Sequence, residues 1–75
     1  MRTKYLVIVE KGDEGTYGAY SPDLPGCAAV GDTVEETERL MDEAIDLYLE
    51  ERQKDGTAPP SSATVATYIP ESRIR

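Results

Sequence analysis

Two prolines and two glycines fall in one short stretch, Ser21-Pro22-Asp23-Leu24-Pro25-Gly26-Cys27-Ala28-Ala29-Val30-Gly31-Asp32-Thr33-Val34-Glu35-Glu36. They dictate where this chain can be extended, where it must turn and where a helix can begin. Proline holds φ near about −65° and has no N–H for a ladder, so Pro22 ends the extended segment before it. Leu24-Pro25-Gly26-Cys27 fits a type II turn, in which proline presets the second position and glycine accepts the positive φ of the third. Residues 27–30 then read as a short strand whose small side chains let a neighbouring element come close, and Gly31-Asp32 breaks it. Thr33 is placed to cap a helix: its hydroxyl can accept from the Glu36 amide while the Glu36 carboxylate reaches back to the Thr33 amide, the reciprocal pair of a capping box. A Pro-Gly turn leading into a capped helix suits many small α+β domains, so this stereochemistry specifies shape and not yet function.

Before that stretch, Tyr5-Leu6-Val7-Ile8-Val9-Glu10 is β-branched and aromatic and stops at the turn residues Lys11-Gly12-Asp13-Glu14-Gly15, which predicts a first strand. Tyr17-Gly18-Ala19-Tyr20 predicts a second, joined to the first as an antiparallel hairpin. After the cap, Thr37, Leu40, Met41, Ala44, Ile45, Tyr48 and Leu49 recur at three- and four-residue spacing and form one apolar helical stripe. Glu35, Glu36 and Glu38 lie at the positive end of the helix dipole, Arg52 and Lys54 at the negative end, and Gly56 is a suitable stop. Glu35 with Arg39 and Glu50 with Lys54 are favourable i,i+4 pairs. Pro59-Pro60-Ser61-Ser62 reads as an extended connector, and Ala63-Thr64-Val65-Ala66-Thr67-Tyr68-Ile69 as a fourth strand ended by Pro70. The order is β-β-β-α-β in one domain of 75 residues, an α+β fold. A right-handed crossover through the helix puts the fourth strand parallel to and beside the first, giving a four-stranded mixed sheet of order 3-2-1-4 with one helix on one face.

The residue inventory narrows the chemistry. With no histidine and a single cysteine, Cys27, the chain has no intrachain disulfide, no imidazole base for a nucleophile and no Cys/His zinc site. Asp13, Asp23 and Asp32 lie in turns, where aspartate bonds nearby amides, and form no carboxylate constellation for Mg²⁺. Gly12, Gly15 and Gly18 lack the strand-to-helix setting of a phosphate-binding loop. No catalytic residue, metal site or cofactor is expected. Cys27 has no adjacent cation to activate it and reads as a small buried hydrophobe. Eight Lys and Arg against 15 Asp and Glu give a net charge of −7, which repels phosphate backbones and favours basic partners. Tyr5, Tyr17, Tyr20, Tyr48 and Tyr68 therefore read as packing residues rather than as a base-stacking platform, which needs a basic groove. The apolar run 5–9 is too short for a secretory or membrane-spanning segment, so a cytoplasmic location without membrane contact is expected.

The first-strand pattern, Tyr17-Gly18-Ala19-Tyr20, Pro22-Asp23-Leu24-Pro25-Gly26-Cys27, Gly31-Asp32-Thr33-Val34-Glu35-Glu36 and Asp42-Glu43-Ala44-Ile45 together resemble, in order and spacing over nearly the whole chain, the HicB-like antitoxins. That resemblance implies a partial RNase H-like fold without the catalytic carboxylates of that fold. It also implies a partner: a small ribonuclease of double-stranded-RNA-binding-like shape, the HicA toxin, whose RNA-facing surface the antitoxin covers. An acidic chain suits such a partner, since opposite charge steers association with a basic RNA-binding protein. Many relatives carry a helix-turn-helix or ribbon-helix-helix segment after the fourth strand. This sequence runs to Arg75 without one, so direct operator binding is not expected of it. The alternative reading is a free-standing oligomeric regulatory module with no cognate toxin.

For the toxin-facing surface the expected residues are Asp23, Leu24, Glu35, Glu36 and Glu38, a turn and a first helical turn that present carboxylates outward; the competing role of these glutamates is to complement the helix dipole. Assembly follows from the first strand. Tyr5, Val7 and Val9 point to one face of the sheet and Leu6 and Ile8 to the other, and a single helix covers only one face. The uncovered face, or the edge around Val65, Thr67 and Ile69, predicts a homodimer or a dimer of dimers.

Overall fold

The computed structural model describes residues 4–71. Three strands, β1 (Ile8–Lys11), β2 (Tyr17–Tyr20) and β3 (Ala28–Gly31), form an antiparallel meander in the order β1-β2-β3, and one helix, α1 (Val34–Lys54), follows. The α+β class and the sequence of these four elements agree with expectation. Their limits differ in instructive ways. β1 begins at Ile8 rather than Tyr5 because its ladder partner ends at Tyr20, opposite Ile8, where Ser21-Pro22 leads the chain away. Between the strands the hairpin is closed by the Gly12 amide donating to the Thr16 carbonyl at 2.7 Å.

The turn into β3 takes the predicted form: the Cys27 amide donates to the Leu24 carbonyl at 3.0 Å, and Gly26 has φ +84°. At the start of α1 the Glu36 amide donates to Thr33 Oγ1 at 3.0 Å. The reciprocal half of the box is shifted by one residue, because Glu36 Oε1 accepts from the amide of Asp32 (2.7 Å) rather than that of Thr33. Thr37 completes the arrangement by donating its hydroxyl to the Thr33 carbonyl at 2.6 Å, which lets this polar side chain sit fully buried. Gly31 makes room for it: a Cβ at Gly31 would lie 2.6 Å from Thr37 Oγ1. α1 ends in a Schellman motif, with the Thr57 amide on the Arg52 carbonyl (2.9 Å), the Gly56 amide on the Gln53 carbonyl (3.1 Å) and Gly56 at φ +74°.

The core lies between the sheet and α1 and consists of Ala19, Leu24, Cys27, Met41 and Ile45. Register aligns Val9, Ala19 and Ala29 in one row and Ile8, Tyr20 and Ala28 in the next. Side chains alternate across a strand, so the first row and Tyr5 and Val7 pack against the core while the second row faces away from it. α1 packs chiefly over β3 and β2 and touches β1 least.

The predicted fourth strand is not part of this sheet. Among the described residues 63–69 have no ladder partner, and Val65, Tyr68 and Ile69 are 88%, 100% and 83% exposed. The cause lies in how the connector is tied down. Arg52 donates twice to the Ala58 carbonyl (3.2 and 3.0 Å), the Tyr5 hydroxyl donates to the Pro60 carbonyl (2.7 Å) and the Ser62 hydroxyl donates to the Lys4 carbonyl. From Pro60 to Ser62 these contacts pass from Tyr5 back to Lys4, so the chain leaves past the beginning of the first extended segment instead of rising alongside β1. The resulting arm gives the molecule a length of 56 Å against 28 and 21 Å in the other directions, whereas the 21 residues of α1 account for only about 31 Å.

Candidate partner-binding surface

Each residue expected at the surface is positioned by one of three local devices. The 21–27 turn carries Asp23 and Leu24, the helix cap carries Glu35, Glu36 and Glu38, and the arm carries Val65, Thr67 and Ile69. At the turn, the Leu24 amide donates to the Ser21 carbonyl at 3.1 Å, and this fold-back drives the Leu24 side chain into the core, where it is 0% exposed. Leu24 thus offers no side-chain surface to a partner in this conformation and holds the turn against α1. Asp23 points the other way and is half-exposed. Its Oδ2 accepts from the amides of Ala63 and Thr64, each at 3.1 Å, and its Oδ1 from the Thr64 hydroxyl at 2.8 Å. The Thr64 hydroxyl and then the Thr64 amide hold the Asp23 carboxyl below its ordinary pKa; desolvation opposes them, and the Ala63 amide adds the smallest lowering contribution. Asp23 is accordingly the clasp that fixes the base of the arm.

Glu35 and Glu38 are exposed on the first turns of α1, while Glu36 is half-buried and has one oxygen engaged by the Asp32 amide. Further along the helix Arg39 is directed to Glu43, with Nη1 3.5 Å from Oε2. The helix start therefore presents carboxylates outward and the same charges also favour the positive end of the dipole. Val65 and Ile69 are almost wholly exposed on the arm, and so is Tyr68, which does not pack as expected because residues 63–69 have no ladder partner among the described residues.

Two shallow apolar hollows lie on the surface of the described residues. One, of about 420 Å³, lies on the sheet face away from the helix, between Gly18, Tyr20, Ala28 and Val30; the other, of about 300 Å³, lies between Cys27, Ala44, Leu47 and Tyr48. Among the described residues no group of three His, Cys, Asp or Glu side chains is placed to hold a metal. Burial pushes the Cys27 thiol above its ordinary pKa, which makes it a poorer nucleophile. No helix among the described residues is long and apolar enough to cross a membrane. Two features escape sequence reasoning: the Asp23 clasp, which joins residues 40 positions apart, and the Ser21 hydroxyl, which is buried without a hydrogen-bond partner among the described residues. A turn aspartate gives no local signal of a distant partner.

A three-stranded antiparallel sheet with one helix against it, an acidic helix start and an exposed apolar arm define a small α+β domain. Residues 5–73 match the family described as HicB_like antitoxin of bacterial toxin-antitoxin system, and the chain belongs to that family. Among solved structures, the N-terminal domain of the Burkholderia pseudomallei antitoxin HicB superposes with a TM-score of 0.67 at 30% identity, covering 81% of this chain and 69% of that one. The Thermus thermophilus protein TTHA0281 superposes with a TM-score of 0.70 at 30% identity, covering 87% of this chain and 82% of that one. A UPF0150 protein of Synechocystis sp. is 48% identical over 46 residues, which are 61% of this chain and 58% of that relative's length. Another, from Archaeoglobus fulgidus, is 38% identical over 47 residues, 63% of this chain and 68% of its own.

Proposed function

We propose that this chain neutralises a small, basic, HicA-like mRNA-cleaving toxin by binding it and covering its RNA-facing surface, with no catalysis of its own. The observation that carries this reading is the family match over residues 5–73, an antitoxin family. The charge of the chain supports it, since −7 steers a basic protein inward and keeps RNA and DNA away, so direct nucleic-acid binding is not part of the role. Glu35 and Glu38 are the contact carboxylates, and Glu36 contributes its charge while serving the cap. Asp23 and Leu24 act by setting the turn that adjoins the arm. The chain works in the cytoplasm, where mRNA is, as a homodimer or a dimer of dimers whose assembly supplies the fourth strand of a partial RNase H-like sheet. A free-standing oligomeric module without a toxin is favoured by one observation, the exposed apolar arm, which calls for a partner but not for a toxin.

The two readings separate when the product of an adjacent short, basic open reading frame is mixed with the purified chain. Toxin binding predicts a stable complex whose association slows as salt rises, because screening weakens steering. The pair Glu35→Lys and Glu38→Lys should then lower the association rate about tenfold in a chain that circular dichroism shows to be still folded, although the reversed charges at the helix start cost some stability. No complex with such a protein would favour the toxin-free module, and an association rate indifferent to salt and to both substitutions would remove the acidic helix start from the interface.

A further inference from the structure

Residues 63–69 are extended, have a strand-forming composition and bury almost none of it: Val65, Tyr68 and Ile69 are 83% exposed or more. β1 and the residues before it form an apolar run that α1 covers least. The outer edge of β1 has no ladder partner among the described residues, α1 lies over β3 and β2, and Leu6, Val7, Ile8 and Val9 are only half-buried. A segment and an edge with these properties complement each other.

We infer that residues 63–69 of one copy add as a fourth strand to the open β1 edge of a second copy, which returns its own arm in exchange. This rests on the self-association reading above and specifies its mode. Within one chain the pairing is blocked by the tie points: Asp23 holds Ala63 and Thr64, Ser62 is held by the Lys4 carbonyl, and the arm departs past the beginning of the first extended segment, away from its own β1. The clasp also gives the arm a fixed root, so its apolar end projects from a defined point.

Both sides of the fit are chemically matched. In a strand Val65, Thr67 and Ile69 share one face and Thr64, Ala66 and Tyr68 the other, and the 6–9 segment is likewise apolar on both faces, with Val7 and Val9 toward the helix and Leu6 and Ile8 away from it. Charge selects the occupant. Two copies of net charge −7 repel each other except through uncharged segments, and 5–9 and 56–70 contain no charged residue. A basic toxin would gain nothing electrostatically from that uncharged arm, whereas a second copy can approach there without bringing like charges together. Two arms and the two edges they cover withdraw on the order of 1,500 Å² from water, the size of a stable specific interface. The exchange is reciprocal and closes on itself within each pair of chains.

Sedimentation velocity at micromolar concentration, followed by cysteine cross-linking, tests the inference. The unmodified chain should sediment as a dimer. Val65→Asp and Ile69→Asp should each weaken dimerisation about 100-fold or more and give monomers with an unchanged circular-dichroism spectrum, since both positions are exposed within the chain. Thr67→Cys, combined in turn with Val7→Cys, Ile8→Cys or Val9→Cys, should give a disulfide-linked dimer on oxidation for at least one pair, and Thr67→Cys alone should not give a link to Cys27, which is buried. A monomeric unmodified chain would overturn self-association and the exchange together. A dimer that survives both aspartate variants, or a link that forms within a single chain, would overturn the exchange while leaving self-association standing. Inhibition of a toxin enters none of these readouts.

Discussion

Thr33 shows how much one hydroxyl settles. It accepts the Glu36 amide, its carbonyl takes the Thr37 hydroxyl, and Glu36 closes the set on Asp32. Thr33→Ala should lower stability by about 0.5–2 kcal/mol, a large share of the margin of a small domain, and a chemical denaturation midpoint that does not move would show that the cap lies elsewhere. Such capping is legible in the sequence because its partners lie within four residues of one another. Asp23 is the opposite case, a carboxylate whose visible features are those of an ordinary turn and whose partners are Ala63 and Thr64. Its folded pKa lies below the unfolded value, so its contribution to holding the arm is present above the unfolded pKa, about 3.9, and disappears as pH falls through the folded one. Hydrogen exchange should therefore find the amides of Ala63 and Thr64 protected near neutrality and released in acid only once pH falls through the lowered pKa of Asp23, and Asp23→Ala should expose them at every pH. Equal protection in that variant would mean that the clasp is incidental.

Elements whose limits are chemical can be read closely from the residues, and elements whose limits depend on a neighbour cannot. Both ends of α1 carry their own punctuation, Thr33 before it and Gly56 after it, and the helix runs between them as predicted. β1 is shorter than its apolar run because only residues opposite β2 can enter the ladder, and no feature of the run itself marks Ile8 as the start. The fourth strand is the extreme case. Its composition is right, but pairing is a property of two segments, and within one chain the connector carries this one past its expected partner. The close approach of β3 to the helix, by contrast, is visible in small residues and converges on Gly31, where a Cβ would meet the Thr37 hydroxyl at 2.6 Å and its backbone nitrogen at 3.0 Å. Gly31→Ala should thus cost about 1–3 kcal/mol through overpacking, read as a lower denaturation midpoint. A variant as stable as the parent would mean that the cap can move aside without loss.

For the whole molecule, three properties support the proposed binding role: a net charge of −7, an antitoxin family match and an uncharged apolar arm. The first is plain in the composition. The acidic helix start is visible as a charge pattern, but its second purpose, stabilising the dipole, is written in the same residues, so sequence cannot assign them a partner. Leu24 cannot be assigned correctly from its place in a Pro-Gly turn either, because only the fold-back onto Ser21 decides that its side chain goes inward. The arm joins the two scales, since a segment that buries nothing by itself makes sense as part of an assembly. Inhibition is the central claim, and its most direct test is a titration of toxin-catalysed RNA cleavage: the adjacent-gene ribonuclease is held constant while the purified chain is added in rising amounts. Cleavage should fall to background as binding sites are filled, with a stoichiometric break point, and the Glu35→Lys, Glu38→Lys pair should shift the curve to higher concentration. Undiminished cleavage in the presence of excess folded chain would contradict the account.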